Sequence, residues 1–241
     1  MLRRRDLLAS AAWLLASGVA ARAGVISGRL PWLPNAGDPP PPVRPGPWQF
    51  FTADEARAAE ALVDRLIPPD PDTPGGKDAG CAIYLDRQMA GPYGHGEGHY
   101  NRPPFMNGNK QQGSQSKDSL AAQYRKGLGA LDAYCRANMS GKAFAELSDA
   151  DKDKLLTGLE KGDVKLDGAD GQKFFAQLLK DTQEGFFADP IYGGNRDMVS
   201  WKMIGFPGAR YNYLDWIDQH NKPYPLPPVS LAGRIDWTPK R

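Results

Sequence analysis

Residues 50–69 read FFTADEARAAEALVDRLIPP, and this stretch decides the fold class. Thr52 and Glu55 stand three residues apart ahead of an apolar run. That is the spacing of a capping box, in which each side chain bonds the other residue's backbone N–H. Ala59, Leu62, Val63, Leu66 and Ile67 then recur at helical intervals, so they share one face. Pro68-Pro69 stops the run, because proline lacks the N–H that the next helical bond needs. The pattern predicts a helix from Thr52 to Ile67 with one buried face.

The same signals repeat downstream. Asp78 is placed to cap a helix running through Met89, with Ile83 and Tyr84 as core candidates and Gly91 as terminator. Gly91 to Gln115, rich in Gly, Pro, Asn and Gln, reads as a long ordered loop. A third helix is expected from Ser116 to Met139, with Leu120, Tyr124, Leu128, Leu131 and Cys135 in helical spacing and Gly141 as its end. Ser148 caps a short helix holding Leu155, Leu156 and Leu159, closed by Gly162. Asp170 caps another, with Phe174, Phe175, Leu178, Leu179 and Phe186. No strand-like alternation and no internal repeat is present. The expected fold is mainly α: a single compact helical domain over 50–241, with long Gly/Pro/aromatic-rich loops and an extended C-terminal tail.

The tail changes character from Ala188. Asp189-Pro190-Ile191-Tyr192-Gly193-Gly194-Asn195-Arg196-Asp197 is followed by Trp201, Phe206-Pro207-Gly208, Tyr211, Tyr213 and Trp216. A short helix is expected near Tyr213–His220, then an extended run through Pro223, Pro225, Pro227 and Pro228. Trp201, Trp216, Tyr211 and Tyr213 are too many large rings for the edge of a small helical domain unless something covers them. Aromatic and Arg side chains concentrate in the buried centres of interfaces. Trp201, Trp216, Tyr211, Tyr213, Arg196 and Phe206 are therefore the candidate partner-facing residues. Core packing is the competing reading.

Upstream, residues 24–49 read as an extended Pro-rich segment, with Pro31, Pro34, Pro39-Pro40-Pro41-Pro42, Pro45 and Pro47. Trp32 and Trp48 are large for a spacer and are expected on a neighbouring surface. The first 23 residues resemble an export signal. Arg4-Arg5-Asp6-Leu7-Leu8 precedes an apolar run from Leu7 to Val19, then Ala21-Arg22-Ala23 ahead of Gly24. The arginine pair makes it resemble a twin-arginine signal. A retained membrane anchor is the alternative, but a spanning helix needs about 20 apolar residues. Removing residues 1–23 takes away four arginines and one aspartate. The remainder has 26 basic and 27 acidic residues, so the basic excess belongs to the signal. That balance gives no reason to expect a nucleic-acid or anionic-lipid partner.

Two cysteines, Cys81 and Cys135, remain after processing. In an oxidising compartment an even pair points to one bridge, and two buried thiols are the alternative. A bridge closing the loop of about 55 residues between them is worth roughly 4 kcal/mol on the chain-entropy account.

Reaction chemistry is sparse. The chain has no C-x-x-C-H haem attachment, no G-x-G-x-x-G between strand and helix, no phosphate loop and no G-x-S-x-G elbow. Gly94-His95-Gly96-Glu97-Gly98-His99 is the nearest approach to a zinc site. Its glycines argue against a helix placing His95 and His99 on one face, and His220 is distant in the chain. A solvated Gly loop is the simpler reading. Asp189, Asp197 and Arg196 could suggest acid/base work, yet carboxylates in such turns usually cap amides and pair with arginine. No catalytic, cofactor-binding or metal residue is assigned.

Four blocks together carry a resemblance to a known family. They are the arginine-pair leader, Phe50-Phe51-Thr52-Ala53-Asp54-Glu55 with Leu66-Ile67-Pro68, and Leu147-Ser148-Asp149-Ala150-Asp151 before Leu155-Leu156. The fourth is Gly185 to Asp197 leading into Trp201-Lys202 and Gly205-Phe206-Pro207-Gly208. Over roughly 48–230 the chain resembles the gluconate 2-dehydrogenase subunit 3 family, the small subunits of membrane-bound flavin dehydrogenases. The resemblance implies a periplasmic, non-catalytic subunit. It would bind a large FAD-containing subunit and carry it out through the twin-arginine translocase. A cytochrome subunit with haem c would pass electrons to the membrane quinone pool, and the chain would be held at the outer face of the inner membrane through its complex. Gluconate, 2-ketogluconate, fructose, sorbitol and glucose all remain open as substrates. Two other classes stay in view: a free-standing metal enzyme using His95, Glu97 and His99, and a general binding or chaperone module.

Overall fold

The computed structural model describes residues 43–44, 46–97, 103–106, 108–109, 111, 116–210 and 213–232, all within one unit. Residues 1–42, with Arg4 and Arg5, lie outside the described residues, as do His99 and Tyr211. The described residues are mainly helical, and among them only two isolated β-bridges occur.

Helix α1, Ala53–Leu66, follows the expected pattern closely. Glu55 N–H donates to Thr52 Oγ1 at 3.3 Å, and Thr52 N–H donates to Glu55 Oε2 at 2.8 Å. Ala56, Ala59, Leu62 and Val63 form its buried face, and Ile67 is its C-cap. Helix α2, Cys81–Ala90, starts later than expected, and Asp78 does not cap it. The preceding turn closes on its own carbonyls instead. Ala79 and Cys81 donate to Gly75 and Gly76 at 2.9 Å, and Gly80 donates to Lys77 at 3.0 Å. Gly80 takes the cap position at φ +86°, where a β-carbon would meet the Gly193 carbonyl oxygen at 2.6 Å. Backbone conformation and close approach both demand glycine there.

Helix α3, Pro92–His95, is a single turn inside the stretch expected to be loop, opened by proline at its first position. Helix α4, Leu120–Asn138, is capped by Ser119, whose Oγ accepts from Ala122 N–H at 3.2 Å. The expected start at Ser116 is a separate turn, in which Ser116 Oγ accepts from Asp118 N–H. Gly141 ends α4 as expected, donating its N–H to Arg136 O at 3.1 Å. A 3₁₀ turn, Phe144–Glu146, leads to α5, Asp149–Lys161, capped by Ser148 and closed by Gly162. Helix α6, Gly171–Phe187, is capped by Asp170.

Helix α6 is the central element, touching α1, α2, α4 and α5. Its buried face carries Phe174, Phe175, Leu178 and Phe186. Phe174 lies so close to α4 that a β-carbon on Gly127 would fall 2.2 Å from its ring. At the periphery, Arg65 of α1 forms paired bonds of 2.6 and 2.7 Å to Asp153 of α5. Cys81 and Cys135 are both free thiols in this core, each 0% exposed, in place of the expected bridge. Burial pushes Cys81 up to about 12 and Cys135 up to about 11, which makes both poor nucleophiles.

One polar cluster interrupts the core. Asp181 on α6 is buried and accepts from Tyr124 Oη at 2.7 Å, Gln177 Nε2 at 2.8 Å and Tyr93 Oη at 3.3 Å. Burial pushes its carboxyl above the ordinary 3.8, and bonds from Tyr124 and Gln177 offset this only in part. The native state therefore holds the Asp181 proton more tightly than the unfolded chain. Its contribution is complete below the ordinary carboxylate range and is lost as pH rises through the raised folded-state value. Asp170, held low by the Lys173 backbone N–H, acts in the opposite direction. Comparison with Asp181→Asn removes that background. The stability of wild type relative to Asp181→Asn is expected to fall as pH rises from about 4 and then level off, checked by urea unfolding across that range. A flat difference would contradict the buried-proton account.

Candidate partner interface

The tail after α6 is built on three polar anchors. Asp189 caps a 3₁₀ turn, Pro190–Tyr192, with Oδ1 accepting from Ile191 N–H at 3.0 Å. The same carboxylate accepts from Ser230 Oγ at 2.6 Å and Leu231 N–H at 2.7 Å, holding residues 230–231 against it. Asn195 is 0% exposed and donates from Nδ2 to Ala188 O at 2.9 Å. Its Oδ1 accepts from both Ser200 N–H and Ser200 Oγ, at 3.0 and 2.7 Å. Arg196 N–H donates to Ala79 O at 2.9 Å, stitching a second 3₁₀ turn, Arg196–Met198, to the start of α2. Asp189 thus does the capping expected of it. The turn residues Asp197 and Arg196 are exposed.

Helix α7, Val199–Ile204, follows and was not anticipated by the periodicity. Its Trp201 points inward. The ring is 5% exposed, Nε1 donates to Phe187 O at 2.9 Å, and Phe206 meets it edge-on with centroids 5.2 Å apart. Gly208 runs directly under the ring and pairs with the fully buried Val229 in one of the isolated bridges. Trp201 is therefore core, a correction to its expected partner-facing place. Beyond it the expected short helix near Tyr213–His220 shrinks to one 3₁₀ turn, Leu214–Trp216. Tyr224 is packed by Trp216 at 5.5 Å and Tyr213 at 5.7 Å, with Arg210 5.4 Å from its ring centroid.

The outward side of this segment is unusually apolar. Phe187, Tyr192, Met203, Ile204, Phe206, Tyr213, Leu214, Ile217 and Leu226 are all exposed, Leu214 at 72% and Ile217 at 60%. The only other exposed large hydrophobics among the described residues are Phe105 and Met106, so exposure of this kind concentrates in 187–226. Monomers rarely leave such concentrations uncovered. Charges of both signs lie among them: Arg196, Asp197, Lys202, Asp215 and Asp218 are exposed. The segment thus combines apolar anchors with a mixed polar surround, the composition of a protein-binding patch.

A family profile described as gluconate 2-dehydrogenase subunit 3 matches residues 53–208. The chain belongs to the gluconate 2-dehydrogenase subunit 3 family. Membership implies one subunit within a multi-subunit dehydrogenase complex. The match covers α1 to α7 and ends at Gly208, where the tail folds back on Val229. The chain has no match among curated proteins and none among solved structures.

Of the expected interface residues in this family member, Phe206, Tyr213 and Arg196 are exposed and Trp216 is partly buried against Tyr224. Trp201 lies inside, and Tyr211 lies outside the described residues. Met203, Ile204, Leu214 and Ile217 are exposed apolar residues that the sequence reading did not single out. A signal for two of them was present: Leu214 and Ile217 stand three apart, and share a face once a helical turn is assumed there. In the candidate metal loop, His95 and Glu97 are exposed and His99 is not described. Among the described residues no group of three metal-ligating side chains converges, and no helix is long and apolar enough to cross a membrane.

Proposed function

We propose that this chain is the non-catalytic small subunit of a periplasm-facing, membrane-bound dehydrogenase of the gluconate 2-dehydrogenase type, and that it docks the large FAD-containing subunit through residues 187–226. The observation that carries this reading is the concentration of exposed apolar side chains in that segment, in a chain whose family forms part of a dehydrogenase complex. An uncovered surface of that kind favours a permanent partner, because its burial supplies the association free energy.

In this reading the flavin belongs to the large subunit and haem c to a cytochrome subunit that feeds the quinone pool. No residue of this chain is assigned to either. The chain's own work is export and stabilisation. A flavoprotein loaded with cofactor crosses the membrane folded, and one arginine-pair leader on a tightly bound partner serves both chains. Arg4 and Arg5 supply that leader.

The test is co-expression with the large FAD-containing subunit of the complex. Changing Arg4 and Arg5 to Lys together is expected to leave both chains in the cytoplasm, still bound to each other. Periplasmic accumulation of the pair at wild-type level would refute the export role. Failure of the chains to co-purify would refute the docking role. The substrate is then read from the oxidation profile of the purified complex.

A further inference from the structure

The chain enters the domain along residues 46–51, against a fully buried carboxylate. Asp86 on α2 is 0% exposed. Its Oδ2 accepts from Gln49 N–H at 2.9 Å, and its Oδ1 accepts from Phe50 and Phe51 N–H, each at 2.9 Å. The Arg87 guanidinium closes on Oδ2. From α4, Arg125 donates to Phe50 O, lies 4.1 Å from the Phe50 ring centroid, and pairs with Glu55. Further upstream, Val43 N–H donates to Ile191 O at 2.8 Å. Val43 also fills the space over Gly193, where a β-carbon would meet its Cγ1 at 3.0 Å.

A buried carboxylate is costly unless its oxygens are bonded. Three consecutive backbone N–H groups meet that need here, and the charge-assisted bonds hold the backbone in turn. Asp86 and residues 49–51 therefore depend on each other. The bonds that anchor this segment are remote in sequence. The separations are 35 to 37 residues for Asp86 and 75 for Arg125 to Phe50, and Val43 reaches Ile191. No local folding event can seat this segment.

We propose that residues 43–44 and 46–51 form a strap, clasped by Asp86 and Arg125, that seats only on the completed domain and couples the entry of the domain to the fold of the turn 190–193.

Hydrogen exchange of the purified full chain tests the strap whether or not the chain is exported. Asp86→Asn turns an amide N–H toward the Gln49 N–H. Arg125→Gln removes the outer hold from a half-exposed position, without leaving a buried orphan. Gly193→Ala acts from the turn 190–193, by strain at φ +95° and by crowding Val43 and Ile83. In each variant the amides of 49–51 are expected to exchange roughly tenfold faster or more, while α4 and α6 keep wild-type rates. Wild-type protection of 49–51 in both Asp86→Asn and Arg125→Gln overturns the clasp. Loss of strap and core protection together in all three overturns the strap as a separate unit. A Gly193→Ala strap with wild-type protection overturns the coupling to the turn 190–193.

Discussion

Trp201→Ala is expected to destabilise the isolated subunit by about 3–5 kcal/mol, the usual cost of deleting a large buried ring. The ring is 5% exposed and fills the space between the end of α6 and the backbone of Gly208. Its loss leaves a cavity under the Gly208–Val229 bridge and orphans the Phe187 carbonyl, which accepts from Nε1 at 2.9 Å. The Phe206 ring loses its edge-on partner as well. Against a typical total of about 5–15 kcal/mol, this is a large share. Urea unfolding is the measurement: the midpoint should fall with little change in slope. A wild-type midpoint with lost partner affinity would mean that Trp201 docks the partner, contrary to its burial.

How much of this was legible depended on whether a feature was local. Thr52 with Glu55, Ser148 and Asp170 each announce a helix start by side chains that bond within one turn, Gly162 ends a helix through its left-handed backbone, and all stand where expected. Asp78 failed because backbone carbonyls three to five residues back closed the turn first, leaving the cap to Gly80. Gly80 in turn is fixed by its contact with Gly193, over a hundred residues away, which no window of sequence contains. The tail shows the same division. Asp189 as a capping residue was legible, because its bond to Ile191 is two residues long. Its grip on Ser230 and Leu231 was not. Trp201 is the sharpest case. A Trp in a Gly/Pro-rich segment reads as a surface anchor, because nothing nearby in sequence can cover it. Here the cover comes from the end of α6 and from Gly208, whose place is held by Val229. The cysteines follow the other branch of their expectation: they lie in one apolar core as separate thiols.

Leu214→Asp combined with Ile217→Asp is expected to weaken binding to the flavin subunit by at least about 2 kcal/mol, some thirtyfold in Kd, while leaving the subunit's own stability within about 0.5 kcal/mol. The two side chains are 72% and 60% exposed, so neither supports the domain's core. They sit on the single turn beside Trp216 and Tyr224, whose ring contacts give that turn a rigid base. A preorganised turn carrying uncovered Leu and Ile loses little entropy on docking, which is how a small patch becomes an anchor. A carboxylate placed there must be desolvated in the complex, and that cost appears only on binding. The contrast with Trp201→Ala is what gives the pair its force. One substitution lowers stability, with affinity following only through the unfolded fraction. The other lowers affinity in a subunit that melts as wild type does. Melting and titration of the same samples separate them. Unchanged affinity of the folded double variant would remove this turn from the docking surface, and with it the main physical support for placing the flavin subunit there.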